Sequence, residues 1–464
     1  MGACGTPGLM AVGKSGPEVV TSEDPRTVEL SREEARHLLA AILLDLPAGS
    51  EAPRKEEPAF HVERALDAVR VVQMDPVRRV AESHHLSLAL RMPGYRPSCL
   101  EDAERKARIV EVRAHERSLV PVSDLPLYMP RMRRAAERLR SSETGVSEAV
   151  RTVLDRLERE GPLQSRAFVT GAGKRVEGFW DRAGDPRTQA TSLALEILWD
   201  EGRVTVFREA GTRVYDLPER HWPRDIRKAA QDMDDEEARR GRLLAYLSAS
   251  GLGDVRDVHV LLDRSPASVR RDTVRWAVES GRALPVTVRG DAEHPRLEGL
   301  LLRPESLDAW ESHAAPATRA RSLEPCLLPP LDNVLWQRGL VARLMDLDYR
   351  WEVYVPQARR RVGPYGMPLW NGETLVGQVD AVFDRSERRL TGRVHPGASQ
   401  GDASVSGARR GGRKDAHILR WAERALRDLA RTLGRMEGTR PPEVFALWAG
   451  SSDGPKALGR SEGP

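Results

Sequence analysis

The chain has 464 residues, which is too many for one hydrophobic core and favours about three domains. Aromatic residues make up only 5% of the sequence against 40% for all hydrophobic residues, so Ala, Leu and Val must fill most of the cores. The net charge is +4, and the basic residues are mainly Arg, whose planar guanidinium suits phosphate oxygens. A GC-rich genome also enriches Arg, so this composition permits nucleic-acid binding without requiring it.

Several classes of protein lose support from what the sequence lacks. Cys4, Cys99 and Cys326 have neither zinc-ligand nor redox spacing, which is typical of a reducing cytoplasm. There is no apolar run long enough to span a membrane, and no Walker loop, dinucleotide fingerprint, GxSxG or HExxH motif. We therefore expect a cytoplasmic protein with no membrane contact, metal or cofactor, and not a kinase, dehydrogenase, serine hydrolase or zinc protease.

The N-terminal part is predicted to be a disordered tail over residues 1–29, followed by a helical or winged-helix unit over residues 30–145. Ser31, followed by acidic residues, is typical of a helix cap. Residues 47–58 have the composition of an exposed loop. Apolar spacing predicts helices at residues 31–43, 62–69 and 83–90.

Residues 146–225 are predicted to form a second unit. Its expected elements are a helix at 150–157, a turn and helix start at 161–166, a helix at 191–201 and a hairpin at 203–217. Helix, turn, helix and hairpin is the order of a winged helix-turn-helix. Any small α+β domain can have the same order, so that reading also stays open.

A third unit is predicted over residues 226–325, and it repeats the order of the second. Its expected elements are helices at 252–258 and 273–280 and a hairpin at 283–303. The repetition favours tandem winged helices.

The last unit is predicted over residues 326–445 and is followed by a tail over residues 446–464. It contains a strand-rich block at 351–383 and a Gly-, Ser- and Arg-rich insertion at 397–415, which predicts flexibility. An amphipathic helix at 418–433 is expected to close the fold.

A short polar motif stands out in the first unit, where Gln73, Met74 and Asp75 are followed by Pro76. Proline disfavours the helical conformation of the residue before it, so Asp75 is expected to be extended. In an extended segment, alternate side chains point the same way, which would put Gln73 and Asp75 on one side with Met74 as an anchor on the other. A carboxylate beside an amide can orient a water molecule and stabilise a positive centre. Such a short pattern is more often a turn or a cap.

Histidines follow this motif, but their spacing does not favour a metal site. His84 and His85 are adjacent, and neighbouring residues on a helix do not face each other. His115 has no second histidine at the spacing of a zinc helix. We expect these histidines to pack or to form hydrogen bonds.

A basic stretch near the C-terminus carries Arg359, Arg360 and Arg361, with Tyr365 just beyond. It lies between two segments that look like strands, so it is expected to form a loop tip. Arginines on phosphates and a ring near bases would suit a groove of DNA. A solvated charged turn is an equally reasonable interpretation.

Four stretches, in order, resemble the YcaQ/AlkZ family of winged-helix DNA glycosylases, which unhook DNA interstrand crosslinks. Residues 72–90 resemble the family's "VQID…ARSHHL" block, and residues 114–122 resemble its "AHEASLLPV". Residues 331–369 resemble "FDNLLWDR…FDYR.EIYVP..KR.YGYY.LP", and residues 375–380 (LVGQVD) resemble "LVGRVD".

This resemblance implies an α+β fold of tandem winged helices around a C-shaped DNA-binding cleft, with a C-terminal β-hairpin region. It implies that Gln73 and Asp75 are catalytic, as in the branch of the family with Asp at the third position. The hairpin that approaches DNA corresponds to Arg359, Arg360, Arg361 and Tyr365, and we expect His84 and His85 near the DNA as well. Val362–Gly363–Pro364–Tyr365 replaces the family's "YGYY".

The implied substrate is double-stranded DNA that carries N7-alkylated guanine, as an interstrand crosslink or a bulky antibiotic adduct. The implied role is repair or self-resistance in a bacterial cytoplasm, by a monomer. Lys55 and Lys106 are the only lysines near the motif in sequence, which favours a monofunctional glycosylase over Schiff-base chemistry. The alternative is a winged-helix DNA-binding protein or transcription regulator without catalysis.

Overall fold

The structure, a computed structural model, describes residues 27–44, 58–92, 94–114, 116–141, 146–168, 175–176, 188–257, 265–307, 324–397, 411–448 and 456–457. Cys4, Lys55 and His115 lie outside these ranges, as do most of the predicted loop at 47–58 and most of the predicted insertion at 397–415. No helix of the described ranges is long and apolar enough to cross a membrane.

The chain alternates between helices and short strands. The helices are α1 (Arg32–Leu44), α2 (Pro58–Val69), α3 (Ser83–Arg91), α4 (Pro97–Arg105), α5 (Leu125–Ser141), α6 (Ser147–Glu160), α7 (Ala190–Asp200), α8 (Arg224–Asp232), α9 (Asp235–Ser250), α10 (Ala267–Glu279), α11 (Arg338–Met345) and α12 (Gly411–Glu437). The strands are β1 (Val28–Leu30), β2 (Val72–Gln73), β3 (Ile109–Arg113), β4 (Arg117–Pro121), β5 (Leu163–Gln164), β6 (Arg175–Val176), β7 (Thr188–Gln189), β8 (Thr205–Glu209), β9 (Thr212–Asp216), β10 (Gly253–Asp254), β11 (Leu284–Val288), β12 (Leu297–Leu302), β13 (Cys326–Leu327), β14 (Gly366–Trp370), β15 (Leu375–Asp384), β16 (Arg389–Pro396), β17 (Glu443–Trp448) and β18 (Lys456–Ala457).

The N-terminal segment is bound into a distant part of the chain. Strand β1 pairs in parallel with β11, in the sheet β1-β11-β12-β10. The predicted tail at 1–29 is therefore wrong at its last two residues, because Val28 is buried in this sheet. Helix α1 begins as predicted, with a reciprocal cap in which the Glu34 N–H donates to Ser31 Oγ at 3.1 Å and the Ser31 N–H donates to Glu34 Oε2 at 2.7 Å.

The second unit has the predicted helices α6 and α7 and the predicted antiparallel hairpin of β8 and β9. At residues 161–166, where a turn and a helix start were predicted, strand β5 comes first and a short 3-10 helix at Ser165–Phe168 follows. In the third unit, the hairpin of β11 and β12 is also found. The helix predicted at 252–258 is wrong. Gly251 ends α9 at a φ of 67°, and the next residues form β10, which pairs with β12.

The C-terminal unit is a six-stranded sheet in the order β13-β14-β15-β16-β17-β18, with α12 packed against it. The predicted closing helix is confirmed with wider bounds, since α12 begins inside the expected insertion. The predicted tail at 446–464 is wrong where β17 and β18 add to the sheet. Residues 351–365 are not strands, in contrast to the expected strand-rich block, which begins only with β14.

Candidate active site

The segment that leads into the Gln73–Asp75 motif is fixed by neighbours on two sides. Strand β2 pairs with β4, which places Gln73 opposite Ser118, and the Met74 N–H still donates to the Arg117 carbonyl at 2.8 Å. On the other side, the Asn333 side-chain amide donates to the carbonyls of residues 69 and 71 at 3.0 and 2.8 Å. Asn333 thus supports the motif from a region far away in sequence.

The segment that follows the motif is held by the C-terminal sheet. The Phe383 N–H donates to the Arg79 carbonyl at 2.9 Å, and the Tyr365 hydroxyl donates to the Ala81 carbonyl at 2.6 Å. Arg385 donates to the Val80 carbonyl at 2.7 Å. Asp75 therefore lies on a short irregular stretch that is fixed at both ends, between the sheet β2-β4-β3 and the six-stranded sheet.

Asp75 is half-buried, and it makes one hydrogen bond within the described residues. Its Oδ1 accepts from the Val77 N–H at 2.8 Å, which is the Asx-turn arrangement. Burial raises the pKa of Asp75, and the hydrogen bond from Val77 opposes this increase. Its Oδ2 has no partner in the part of the chain that the structure describes, so one oxygen of a partly desolvated carboxylate is available to a ligand.

Met74 anchors the motif, as the sequence predicted. Its side chain packs against the core cluster around Val72 and Leu88, and its sulfur accepts from the Arg208 guanidinium at 3.3 Å. Regular strand pairing stops at this residue, however. The predicted extended geometry, with Gln73 and Asp75 on one side, therefore stays a prediction.

Behind Met74 lies a buried ionic network that the sequence interpretation missed. Glu111, on β3, accepts hydrogen bonds from Arg117 at 2.8 Å, from Arg208 at 2.6 Å and from Arg213. Burial on its own would raise the pKa of Glu111, but these three guanidiniums lower it to about 2. A charged residue within the apolar run of β3 was the available signal, since buried charges need partners.

His84 and His85 lie against each other, with ring centroids 4.2 Å apart. The expectation that adjacent histidines do not face each other is therefore wrong. His85 Nδ1 lies 2.7 Å from the Tyr95 hydroxyl and its Nε2 lies 3.5 Å from Glu82, while His84 Nδ1 is buried with no partner among the described residues. Burial lowers the pKa of both rings, and that of His85 falls to about 4, so both are neutral at physiological pH.

Glu82, His84 and His85 are the one group in the described ranges whose donor atoms lie close enough to share a metal ion, within 4.8 Å of one another. His85 already has a hydrogen-bond partner or a carboxylate beside each ring nitrogen. The observed contacts therefore account for His85 without a metal.

The basic stretch is a turn and not the tip of a hairpin. Its backbone is held by the buried carboxylate of Glu352, which accepts from the N–H groups of residues 361, 362 and 363 at 3.0 to 3.1 Å. Arg359 and Arg361 are exposed. Arg360 turns inward and donates to the Val355 carbonyl at 2.8 Å.

Tyr365 was expected to approach the bases of DNA, but it is buried inside the protein. Its ring is only 1% exposed, so it cannot lie beside a base, and its hydroxyl supports the backbone next to the motif. The exposed aromatic residue of this region is Tyr354, which sequence reasoning did not single out.

The model of the family described as "DNA glycosylase AlkZ-like" matches residues 66–439, which include the motif, the histidine pair and the basic turn. The chain belongs to the AlkZ-like DNA glycosylase family. The family resemblance seen in the sequence is thus confirmed, and with it a DNA glycosylase that acts on DNA.

A solved structure adds support for the fold. The chain is similar to the Streptomyces sahachiroi DNA glycosylase AlkZ, with a TM-score of 0.54 and 16% identity over 90% of this chain and 100% of that chain. At this level of identity the likeness concerns the fold, which is a mixed α and β fold in both.

Proposed function

We propose that this glycosylase hydrolyses the N-glycosidic bond of N7-alkylated guanine in double-stranded DNA, in interstrand crosslinks or bulky adducts. The observation that carries the proposal is Asp75, a half-buried carboxylate with one unpartnered oxygen in the described part of the chain. It lies on a segment fixed at both ends, next to a glutamine. A rigid and partly desolvated negative charge is suited to a cationic transition state.

The chemistry follows from the charge on the lesion. An N7-alkylated guanine is already positive, so the C1′–N9 bond breaks with its electron pair moving onto the base, which leaves as a neutral molecule. Asp75 stabilises the oxocarbenium-like sugar, and Gln73 holds the water whose oxygen then bonds to C1′. The water gives up one proton, to Asp75 or to solvent. No strong acid is required on the leaving group.

The surroundings of the motif support a bulky substrate and a monofunctional enzyme. Pro76 and Arg78, next to Asp75, are exposed, so an adduct can reach the carboxylate without entering a closed pocket. Lys106 directly follows α4 and pairs as an ammonium ion with Asp102 at 2.8 Å, and an ammonium ion is not a nucleophile.

We further propose that the second and third units are tandem winged helices and that the enzyme acts as a monomer in the cytoplasm. The element order of helix, short strand, helix and hairpin in residues 147–216 and 235–302 supports the first point. Light scattering of the purified chain tests the monomeric state, and a dimer would contradict it.

A panel of duplexes tests the proposed reaction. The lesion is N7-methylguanine, a bulky N7 adduct or a nitrogen-mustard crosslink between N7 atoms of the two strands. For the first two, the released base is measured by mass spectrometry; for the crosslink, the cleaved base stays attached to the opposite strand, so separation of the strands on a denaturing gel is measured. The proposal predicts release of the alkylated base, or separation of the crosslinked strands, and an abasic site without strand cleavage. Tight binding to one undamaged sequence, with no release from any lesion, would instead identify a regulator.

A further inference from the structure

Tyr354 is the exposed aromatic side chain beside the basic turn. Its side chain is 80% exposed, and it is the one large hydrophobic residue in the described ranges with such exposure. Because the apolar surface of this ring stays in contact with water, the ring contributes little hydrophobic free energy to folding. An exposed ring with exposed arginines a few residues away is suited to a contact with a partner.

The loop that carries Tyr354 is rigid, so the exposure is built into the structure. The Trp351 ring meets the Tyr354 ring edge-on, with centroids 5.7 Å apart and an interplanar angle of 75°. The Arg360 guanidinium donates to the carbonyls of Val353 and Val355, on either side of Tyr354. The backbone on both sides of the ring is therefore fixed before any partner binds.

The charges around the ring indicate the class of partner. Arg359 and Arg361 are exposed a few residues away, on the turn held by Glu352, and Arg361 also donates to the exposed Asp348 carboxylate at 3.0 Å. Guanidiniums next to an exposed ring suit a nucleic acid, in which phosphates alternate with flat bases. The same loop ends at Tyr365, whose hydroxyl contacts Ala81 in the segment that follows Asp75.

We propose that Tyr354 stacks on the DNA base opposite the lesion, which has lost its pairing partner, while Arg359 and Arg361 contact the flanking phosphates. The inference deepens the proposed function, on which it rests for the nature of the lesion. Removing or distorting a base leaves its partner without a pair, and an aromatic face can take the place of the lost stacking. Tyr354 is on this account a positioning residue, and it takes no part in bond breaking.

The test compares Tyr354→Ala, Tyr354→Leu and Tyr354→Phe with the wild-type chain. The probe is a duplex with a tetrahydrofuran abasic analogue opposite 2-aminopurine, whose emission falls when it stacks on a ring. Phe keeps the aromatic face, whereas Leu keeps apolar area without it. We expect Ala and Leu to weaken binding about tenfold and Phe to stay within about twofold, the scale of one stacked base.

Two further readouts separate stacking from other roles. Binding of wild type and of Tyr354→Phe should lower the 2-aminopurine emission, and binding of the Ala and Leu variants should not. The salt dependence of binding should stay unchanged in all three variants, because no charge is lost, whereas the control Arg359→Ala should reduce it.

The outcomes distinguish this inference from the proposed function. If wild type releases no base from any lesion but binds the probe through Tyr354, the proposed reaction fails and the stacking stands. If the Ala variant binds and quenches like wild type, stacking is refuted, whatever the enzyme releases. Wild-type binding by the Leu variant would mean a simple apolar contact with the DNA and would also overturn the inference.

Discussion

Glu111 lies in the small sheet β2-β4-β3 and Asp75 follows its strand β2 by two residues, yet the surroundings of the two carboxylates are opposite. Glu111 pairs with Leu119 on β4, which in turn pairs with Val72, three residues before Asp75. Glu111 is buried among three guanidiniums that bring its pKa down to about 2. Asp75 is half-buried with one backbone hydrogen bond, and burial raises its pKa.

On the proposed function, this difference separates a structural charge, Glu111, from a reactive one, Asp75. A buried carboxylate that has all its partners holds elements together and has no capacity left for a ligand. A carboxylate that is desolvated without a cationic partner is held in a costly state, which a positively charged ligand or transition state relieves. The network around Glu111 reaches the motif through Arg208 and Met74, so the first carboxylate helps to position the second.

The largest effect is expected from Glu111→Gln. The change removes the negative charge that three buried guanidiniums share, so the free energy of unfolding should fall by about 3–5 kcal/mol. Denaturant unfolding measures this change. Asp75→Asn, the matched amide substitution, should leave stability equal or higher, and equal losses in both variants would remove the distinction between the two sites.

The arginines of the basic turn should also divide into one structural residue, Arg360, and two that contact DNA, Arg359 and Arg361. Arg359→Ala and Arg361→Ala should each lower the slope of log Kd against log salt by about one, since each loses one phosphate contact. Arg360→Ala should leave the slope unchanged, because Arg360 donates to backbone carbonyls. Equal slopes in all variants would place the turn away from DNA.

The pH dependence of base release should reveal the raised pKa of Asp75. Activity requires the ionised form, so it should fall as the pH drops through a pKa above the ordinary value of 3.8. Unfolded His85 binds a proton below about 6.5 and the folded form only near 4, so the fold also loses stability over that range. Circular dichroism at each pH separates the two effects, and activity that persists below pH 3.8 in folded protein would argue against Asp75.

The smallest effect is expected from metal removal. Single-turnover release should be the same with and without excess chelator, since a base that is already cationic requires no Lewis acid. Loss of activity with chelator and recovery with added zinc would contradict this prediction. Glu82, His84 and His85 would then be the first ligand candidates, and loss of the bound metal in His84→Gln would test them.

Local features of the fold followed from the sequence. Ser31 and Glu34 are three residues apart, so their reciprocal cap depends on local geometry alone. The hairpin of β8 and β9 could likewise be predicted, because two segments of strand-forming residues lie on either side of a glycine-containing turn. The motif at Gln73–Asp75 could be located because its residues are adjacent and its family pattern is specific.

Features that depend on contacts between distant parts of the chain could not be predicted from the sequence. Strand β1 finds its partner β11 across most of the chain, and no local signal predicts that pairing. Tyr365 was misplaced for the same reason, because the segment after Asp75 covers it. The exposure of Tyr354 was missed because its strand-like stretch is folded into turns by contacts of Glu352 and Arg360. A sequence pattern shows which residue types are present, but it does not show which side chains remain exposed to solvent once distant segments pack together.

The central claim is that Asp75 carries the chemistry, and single-turnover release of N7-methylguanine by Asp75→Asn tests it most directly. The amide keeps the size of the side chain and removes its charge. The account predicts a fall in the rate of about a hundredfold or more, the scale of losing one electrostatic stabiliser, with unchanged DNA binding and fold. Release near the wild-type rate by a folded Asp75→Asn enzyme would contradict the account.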